Sequence, residues 1–437
     1  MKSLWYSDVK MPHFERLEKD LKTDVLIIGG GITGVLCAYQ LHQSGIDYVL
    51  VEADRICGGV TGNTTAKITA QHGLCYRKIA DRFGLEGASL YYEANAQAIE
   101  DYRTLCEGID CDFHASDSFV YSLNGRKELE AEQAILSKIG VKTALVDHIA
   151  LPLSIHVALG MPRQAEFHPL KFLASIAHEL HIYENSRVTE LIGTDARTAH
   201  ARITAKRIIV ATHFPFLNKH GSYFLKMYQS RSYVLAIDGA EKLEANYIDA
   251  DEKGLSFRTA NGLLLIGCGS HRTGKKSDGW TDALRFSVQH FPKAGERFRW
   301  ATQDCMTLDG LPYVGLYSAG TDGLYVATGF GKWGMTGAMM ASRVLADLLK
   351  GKETPLSRLL SPSRSILRPQ LAANAWETLE NLLPLRHHRC PHLGCSLKWN
   401  PWEHTWDCPC HGSRFDREGR LLEGPAQGDL PHFSREK

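Results

Sequence analysis

Short β-branched apolar runs alternate with stretches of helical period along this chain, the pattern of a protein that layers helices on sheets. Asp24–Ile28 is apolar at almost every position and runs into glycines, which predicts a strand buried on both faces. A helical stretch follows to about Gln43, and Tyr48–Val51 predicts a second buried strand. Apolar residues recur at helical spacing over Leu85–Cys106 and Arg126–Ile139. Between about 216 and 299 the pattern shortens to two-residue alternation. Arg231–Ile237 and Leu263–Ile266 are strands there, in an antiparallel sheet. Gly351 and Pro355 end the last long helix, Ser361–Ser365 reads as polar connection, and Leu371–Leu383 is once more a helix.

Composition narrows the function classes. The chain has 437 residues, enough for two domains or more. Its 50 basic and 49 acidic residues leave a formal charge of +1, which gives no electrostatic footing for nucleic acid or a membrane surface. Met1–Thr23 is polar, without the apolar centre of a signal peptide, and no apolar run is long enough to span a bilayer. Cytoplasmic location and no membrane span are therefore the expectation. Eleven cysteines in a chain this long do not make a secreted disulfide scaffold. Cys37, Cys57, Cys75, Cys106, Cys111, Cys268 and Cys305 are scattered and read as small buried hydrophobes.

Two motifs carry chemistry. Near the C-terminus Cys390, His392, Cys408 and His411 form C-x-H-x15-C-x2-H. Two thiolates can hold one iron of a [2Fe–2S] cluster and two imidazoles the other, and Cys and His at such spacing also suit structural zinc. Near the N-terminus Gly29, Gly31 and Gly34 form G-x-G-x-x-G between strand and helix, and Glu52 ends the next strand. The glycines permit a tight turn, close approach of a pyrophosphate and close helix packing, and the acid suits a ribose hydroxyl. NAD and FAD both fit this motif.

Cys390–Cys395 and Cys408–Ser413 resemble the two boxes of Rieske iron–sulfur proteins. That resemblance implies Cys390, His392, Cys408 and His411 as cluster ligands, and Cys395 and Cys410 as a disulfide between the two loops. Gly58–Lys67, Gln164–Pro169, Ile208–Thr212, Asp309–Gly315 and Gly323–Gly337 resemble, in order, segments of the flavin-dependent D-amino-acid, glycine and sarcosine oxidases. This favours FAD. Thr64–Lys67, His271–Gly274 and Cys305–Gly310 are similar to a bacterial group that fuses such a flavoprotein to a C-terminal Rieske domain.

The resemblances imply an α/β and α+β chain with a discontinuous Rossmann-like FAD-binding domain, an antiparallel-sheet substrate domain and a small all-β Rieske-type domain. The oxidoreductase spans 22–350. Its FAD pieces are about 22–80, 150–215 and 300–350, and its substrate domain about 81–149 and 216–299. A linker and helix occupy 351–384, and a shortened Rieske domain 385–437, with few residues before its first box to supply the usual supporting strands. The implied FAD-binding set is Gly29, Gly31, Gly34, Glu52, Thr64, Thr65, Gly329, Gly331, Gly334 and Thr336. Lys67, Arg272 and Lys332 are the implied catalytic residues, and Arg231 and Arg272 are candidates to clamp a substrate carboxylate. His168, before Pro169, reads as structural, and Cys305 is not expected to bind the flavin covalently.

The expected function is C–N dehydrogenation of an amine or amino acid, with electrons passed from FAD to the cluster and on to a carrier protein or quinone-linked acceptor. Ser413 stands where high-potential Rieske proteins place a hydroxyl and Phe415 where they place a tyrosine. A potential below the upper end of about +300 mV is therefore expected. Three rival readings are a redox-sensing or electron-transfer protein with no amine substrate, a flavoprotein acting on tRNA bases, which the near-zero charge disfavours, and an oxidase whose flavin reacts with oxygen while the cluster is only structural.

Overall fold

In the computed structural model, which describes residues 2–217, 220–382 and 388–431, three sheets account for the strands. The first has the order Tyr313–Leu316, Leu324–Thr328, Arg202–Val210, Leu21–Ile28, Tyr48–Val51, Ile182–Tyr183, with the hairpin Glu190–Ile192/Asp195–Arg197 on Arg202–Val210. All neighbours along this path are parallel except Tyr313–Leu316. Helices Ile32–Gln43 and Gly334–Leu349 pack together on one face. Val25, Ile27, Val35, Leu36, Ala338 and Met339 are fully buried in their shared core. Each large aliphatic group buried there contributes about 1.5–3 kcal/mol.

The second sheet has nine strands. Its order is Glu296–Thr307, Met227–Ile237, Leu263–Arg272, Ser256–Ala260, Ala245–Asp249, His114–Ser122, Val157–Glu166, Lys67–Ile68, with Ala144–Val146 beside Val157–Glu166. It includes Lys67–Ile68, Val157–Glu166 and most of Glu296–Thr307, which lie in stretches that the family resemblance assigns to the FAD pieces. It also contains one parallel pair, Ala245–Asp249 with His114–Ser122, inside an otherwise antiparallel arrangement. The helix over Leu85–Cys106 begins earlier, at Tyr76, because Gly84 (φ 74°, ψ 174°) joins two helical pieces through a conformation closed to other residues. His168 caps helix Pro169–Ala177, its Nδ1 accepting from the Lys171 amide at 3.1 Å.

The C-terminal helix is Pro369–Leu382; Leu383, its expected last residue, and residues 384–387 before the first cysteine box lie outside the described residues. Four short antiparallel strands follow: Lys398–Asn400, Thr405–Asp407, Arg414–Phe415 and Leu421–Glu423. Their apolar core is small, chiefly Leu397, Phe415, Ala426 and Leu430 around four cysteines. A core of that size needs covalent or external support. No helix among the described residues is long and apolar enough to cross a membrane.

Candidate active site

A cavity of about 960 Å³ runs from the N-terminal glycines to the turn before helix Gly334–Leu349. That is near the top of the range for ligand pockets. At one end lie Gly29, Gly31 and Glu52. Gly34 lies one turn into the helix, and a Cβ there would stand 1.9 Å from the Gly29 carbonyl oxygen, so only glycine lets strand and helix meet. Glu52 accepts from the amides of Gly30 at 2.6 Å and Asp54 at 2.9 Å, which fixes its carboxylate at the mouth of the glycine turn. Burial nonetheless pushes its pKa up against those two N–H groups. The helix starts at Gly31 without a side-chain cap, as a phosphate site requires. These residues fit a dinucleotide.

Thr64, Thr65 and Lys67 line the middle of the cavity. Their loop is pinned from behind, since Arg258 Nη1 donates to the carbonyls of Thr65 and Ala66 at 2.8 and 2.7 Å. The Lys67 ammonium reaches Thr65 Oγ1 at 3.3 Å. Burial and the Arg258 charge push its pKa down to about 7, with Glu166 opposing. Gly329, Gly331, Lys332 and Gly334 line the far end. Lys332 donates to Ser270 Oγ at 2.6 Å, and burial lowers its pKa against the pull of Asp304 and Glu252. His72, missed in the sequence, stacks on Trp333 at 4.7 Å and bonds Tyr91 Oη at 2.9 Å. Burial holds it neutral, near a pKa of about 3.

The cysteine–histidine boxes meet behind the opposite wall. Cys390, Cys408 and His411 are buried, and the His392 and His411 rings are 4.9 Å apart. Hydrogen bonds from Cys408 and Ser413 favour a thiolate on Cys390. Burial keeps both imidazoles neutral, His392 near about 4 and His411 near about 3. His411 Nε2 donates to the Phe224 carbonyl at 3.0 Å, while its Nδ1 is buried without a partner, as a ring nitrogen reserved for a metal would be. Cys395 and Cys410 form a disulfide. Their sulfurs also lie near Cys408, but a disulfide leaves them no thiolate to offer. The four residues fit a histidine-ligated cluster.

Strands Met227–Ile237 and Glu296–Thr307 separate the cavity from these loops, and their two faces do different work. Gln229 Nε2 donates to the His411 carbonyl at 2.7 Å, and Gln303 Nε2 to that of Gly412 at 3.0 Å. Gly412 (φ +81°) leaves no room for a side chain, because a Cβ would fall 2.7 Å from Gln229 Cβ. Thr302, Asp304 and Met306 alternate with these residues and line the cavity. At the edge of this wall Phe214 lines the cavity, and its ring lies 6.2 Å from that of His411 and 6.5 Å from that of His392. Gly424–Gln427, at the end of the cluster domain, line the same cavity. Of these junction residues, Phe214, Gln229, Thr302, Gln303 and Asp304 carry no local sequence signal.

Three expected residues go elsewhere. Arg272 points to the cluster loop, donating to the carbonyls of Pro409 at 3.0 Å and Cys410 at 3.1 Å and to Asn374 at 2.9 Å, over the Tyr228 ring. With its donors so committed it is not a catalytic group of the cavity. Arg231 is buried against Glu403 and Glu423 of the cluster domain and clamps no substrate. Thr336 is turned inward to the Thr69 carbonyl at 3.0 Å and does not line the cavity.

Fold and site together define a flavin-dependent oxidoreductase joined to an iron–sulfur module. Residues 24–348 match the family model for FAD dependent oxidoreductase and residues 380–434 that for the Rieske [2Fe-2S] domain. The chain belongs to this FAD-dependent oxidoreductase family and carries a C-terminal Rieske domain; the first part binds FAD and the second a [2Fe–2S] cluster. It is 35% identical over 491 residues to the putative Rieske 2Fe-2S iron-sulfur protein YhfW of Bacillus subtilis (strain 168), covering 97% of this chain and 95% of that protein. It is 26% identical to gamma-glutamylputrescine oxidoreductase of Escherichia coli (strain K12), over 78% of this chain and 87% of the relative. The fold resembles glycine oxidase from Geobacillus kaustophilus, with a TM-score of 0.68 and 19% identity over 79% of this chain and 99% of that one. It also resembles L-proline dehydrogenase from P. horikoshii, with a TM-score of 0.66 and 16% identity over 79% and 98%.

Proposed function

We propose that the chain dehydrogenates the C–N bond of an amine or amino acid at FAD and passes the electrons to its own Rieske cluster, which delivers them to a carrier protein or quinone-linked acceptor. FAD supplies two-electron oxidation and the cluster one-electron transfer. One observation carries the reading. The cavity holding the dinucleotide motif is also lined by Gly424–Gln427 of the cluster domain and by Phe214, which touches both ligand imidazoles. The likeness to gamma-glutamylputrescine oxidoreductase supports an amine donor.

The remaining roles belong to the chain's own side chains. Gly29, Gly31, Gly34 and Glu52 hold the nucleotide, and Thr64, Thr65, Gly329, Gly331 and Gly334 shape the cavity where the ring lies. Lys67 and Lys332 present cations there, which favours negative charge arriving on the cofactor. Cys390, His392, Cys408 and His411 are the cluster ligands. Free thiols at the seven scattered cysteines agree with a cytoplasmic setting. Anaerobic stopped-flow reduction is the test: substrate should bleach the flavin and then reduce the cluster. A flavin that bleaches while the cluster stays oxidised refutes the relay.

A further inference from the structure

Asp304 is a carboxylate in the wall of the cavity that nothing in the chain uses. It sits on strand Glu296–Thr307 opposite Ser230. Strand alternation turns its neighbour Gln303 to the cluster loop and Asp304 to the cavity. Its side chain is half-buried, and among the described residues its carboxylate has no hydrogen-bond or ion-pair partner. Lys332 stands on the same wall, its ammonium engaged by Ser270, whose hydroxyl adjoins Ser230, the cross-strand neighbour of Asp304. Beside Asp304, Ser232 and Thr302 stand directly opposite each other in register, and both hydroxyl oxygens are buried without partners. The arginines of this wall are spent on the protein itself: Arg231 on Glu403 and Glu423, Arg258 on the loop before Lys67, Arg272 on the cluster loop. This part of the cavity therefore offers an anion and no guanidinium fork, so it recognises a substrate by its nitrogen rather than by a carboxylate.

We propose that Asp304 is a catalytic residue that binds the ammonium of a primary or secondary amine substrate and removes its proton. This rests on the reading of the cavity as a site of C–N oxidation. An alkylammonium R₂CH–NH₃⁺ gives its proton to the Asp304 carboxylate and becomes the free amine R₂CH–NH₂. The C–H bond then breaks, its electron pair leaves with hydrogen to FAD as the oxidant, and the nitrogen lone pair closes the C=N bond of R₂C=NH₂⁺. The acid formed on Asp304 returns its proton to solvent. Burial supports the assignment, since it raises the Asp304 pKa to about 7 against the opposing charges of Lys332 and Arg231. Other ionisable groups facing this part of the site are Glu252, which acts on Lys332, the Cys305 thiol, which burial holds protonated, and His213, whose pKa burial lowers.

The test uses the FAD- and cluster-loaded full chain and its Asp304→Asn and Asp304→Glu variants. Anaerobic flavin reduction by an amine is followed from pH 6 to 10. Asp304→Asn should slow reduction about 100-fold at pH 7, in line with loss of a general base. Its rate should then climb about tenfold per pH unit toward the free amine's own pKa, and Asp304→Glu should restore part of the wild-type profile. Lys67→Met, which removes a second cavity group whose pKa is moved to about 7, should leave the acid limb in place. A second arm needs no turnover: tert-butylammonium, which has no α-hydrogen to lose, should perturb the oxidised flavin spectrum of wild type and bind Asp304→Asn at least 10-fold more weakly. The proposal is overturned if Asp304→Asn keeps the wild-type rate and pH profile, if the acid limb moves with Lys67 instead, or if tert-butylammonium binds both proteins alike or neither. Failure of every amine to reduce the wild-type flavin, with the tert-butylammonium difference intact, would refute amine oxidation and leave the ammonium site standing.

Discussion

Replacing Arg231 with methionine tests how the cluster domain is held. Its side chain is 3% exposed, with Nε 2.8 Å from Glu403 Oε2 and Nη1 3.2 Å from Glu423 Oε1. Arg414 completes the network at 2.9 Å from Glu403, 3.0 Å from Asp407 and 3.1 Å from Glu423. Three carboxylates balanced by two guanidiniums would become three around one. Burial works to raise the Glu403 pKa, yet Arg414 and Arg231 outweigh it and lower it from 4.5 to about 2. That fall of about 2.5, shared between the two arginines, corresponds to about 3–4 kcal/mol at about 1.4 kcal/mol per unit. Removing one partner from a buried ion pair costs about 3–5 kcal/mol. Glu423 is partly open to solvent, so we expect the lower end, about 3 kcal/mol, or roughly a 100-fold smaller docked fraction. The sign with pH follows. A carboxyl whose folded pKa is depressed stabilises fully above its unfolded value and loses that contribution as pH falls through the folded one. The deficit of Arg231→Met should thus be complete above about pH 4.5 and shrink toward about pH 2. Urea midpoints, limited proteolysis within 351–382 and cluster absorbance would measure it. A variant within about 1 kcal/mol of wild type at pH 7, or a deficit that grows in acid, refutes the clamp.

Other outcomes follow from the same contacts. Cys410→Ser opens a disulfide whose cysteines are 15 residues apart, which should destabilise the cluster loops by about 3 kcal/mol and speed bleaching of the cluster in thermal scans. Gly34→Ala places a methyl 1.9 Å from the Gly29 oxygen, so purified protein should lack FAD while the cluster's EPR signal persists. Lys67→Met removes a buried ammonium whose pKa is lowered to about 7. The wild type bears the cost of charging this group, so the melting-temperature advantage of the variant should grow as pH falls from about 10.5 to about 7 and stay level below. An advantage that grows instead with rising pH would count against a buried Lys67.

What could be read in advance was local. The strand Asp24–Ile28, its glycines and the following helix are written in consecutive residues, and the structure extends that strand only to Leu21–Ile28. The cysteine–histidine boxes are equally local, because each supplies its ligands within a few residues. What stayed hidden was pairing at a distance. Lys67 pairs with Glu166 and Ile68 with Ala165, across nearly a hundred positions, and no local periodicity reports that. Arg231 and Arg272 have the composition of carboxylate clamps, and only the packed structure shows that their partners are Glu403 and the carbonyls of Pro409 and Cys410. Asp304 was hidden for a related reason: a single acid in an alternating strand is silent until the opposite faces of that strand are known.

The glutamines that brace the cluster loops have a consequence for biogenesis. Gln229 and Gln303 belong to the part of the chain made first, and the backbone they hold belongs to the part made last. Iron and sulfide delivered to the tail before that platform has folded would meet a loop without those two braces. Maturation should then run in order, flavoprotein first and metallocentre second, and the isolated tail should emerge from the ribosome as a poor recipient for iron.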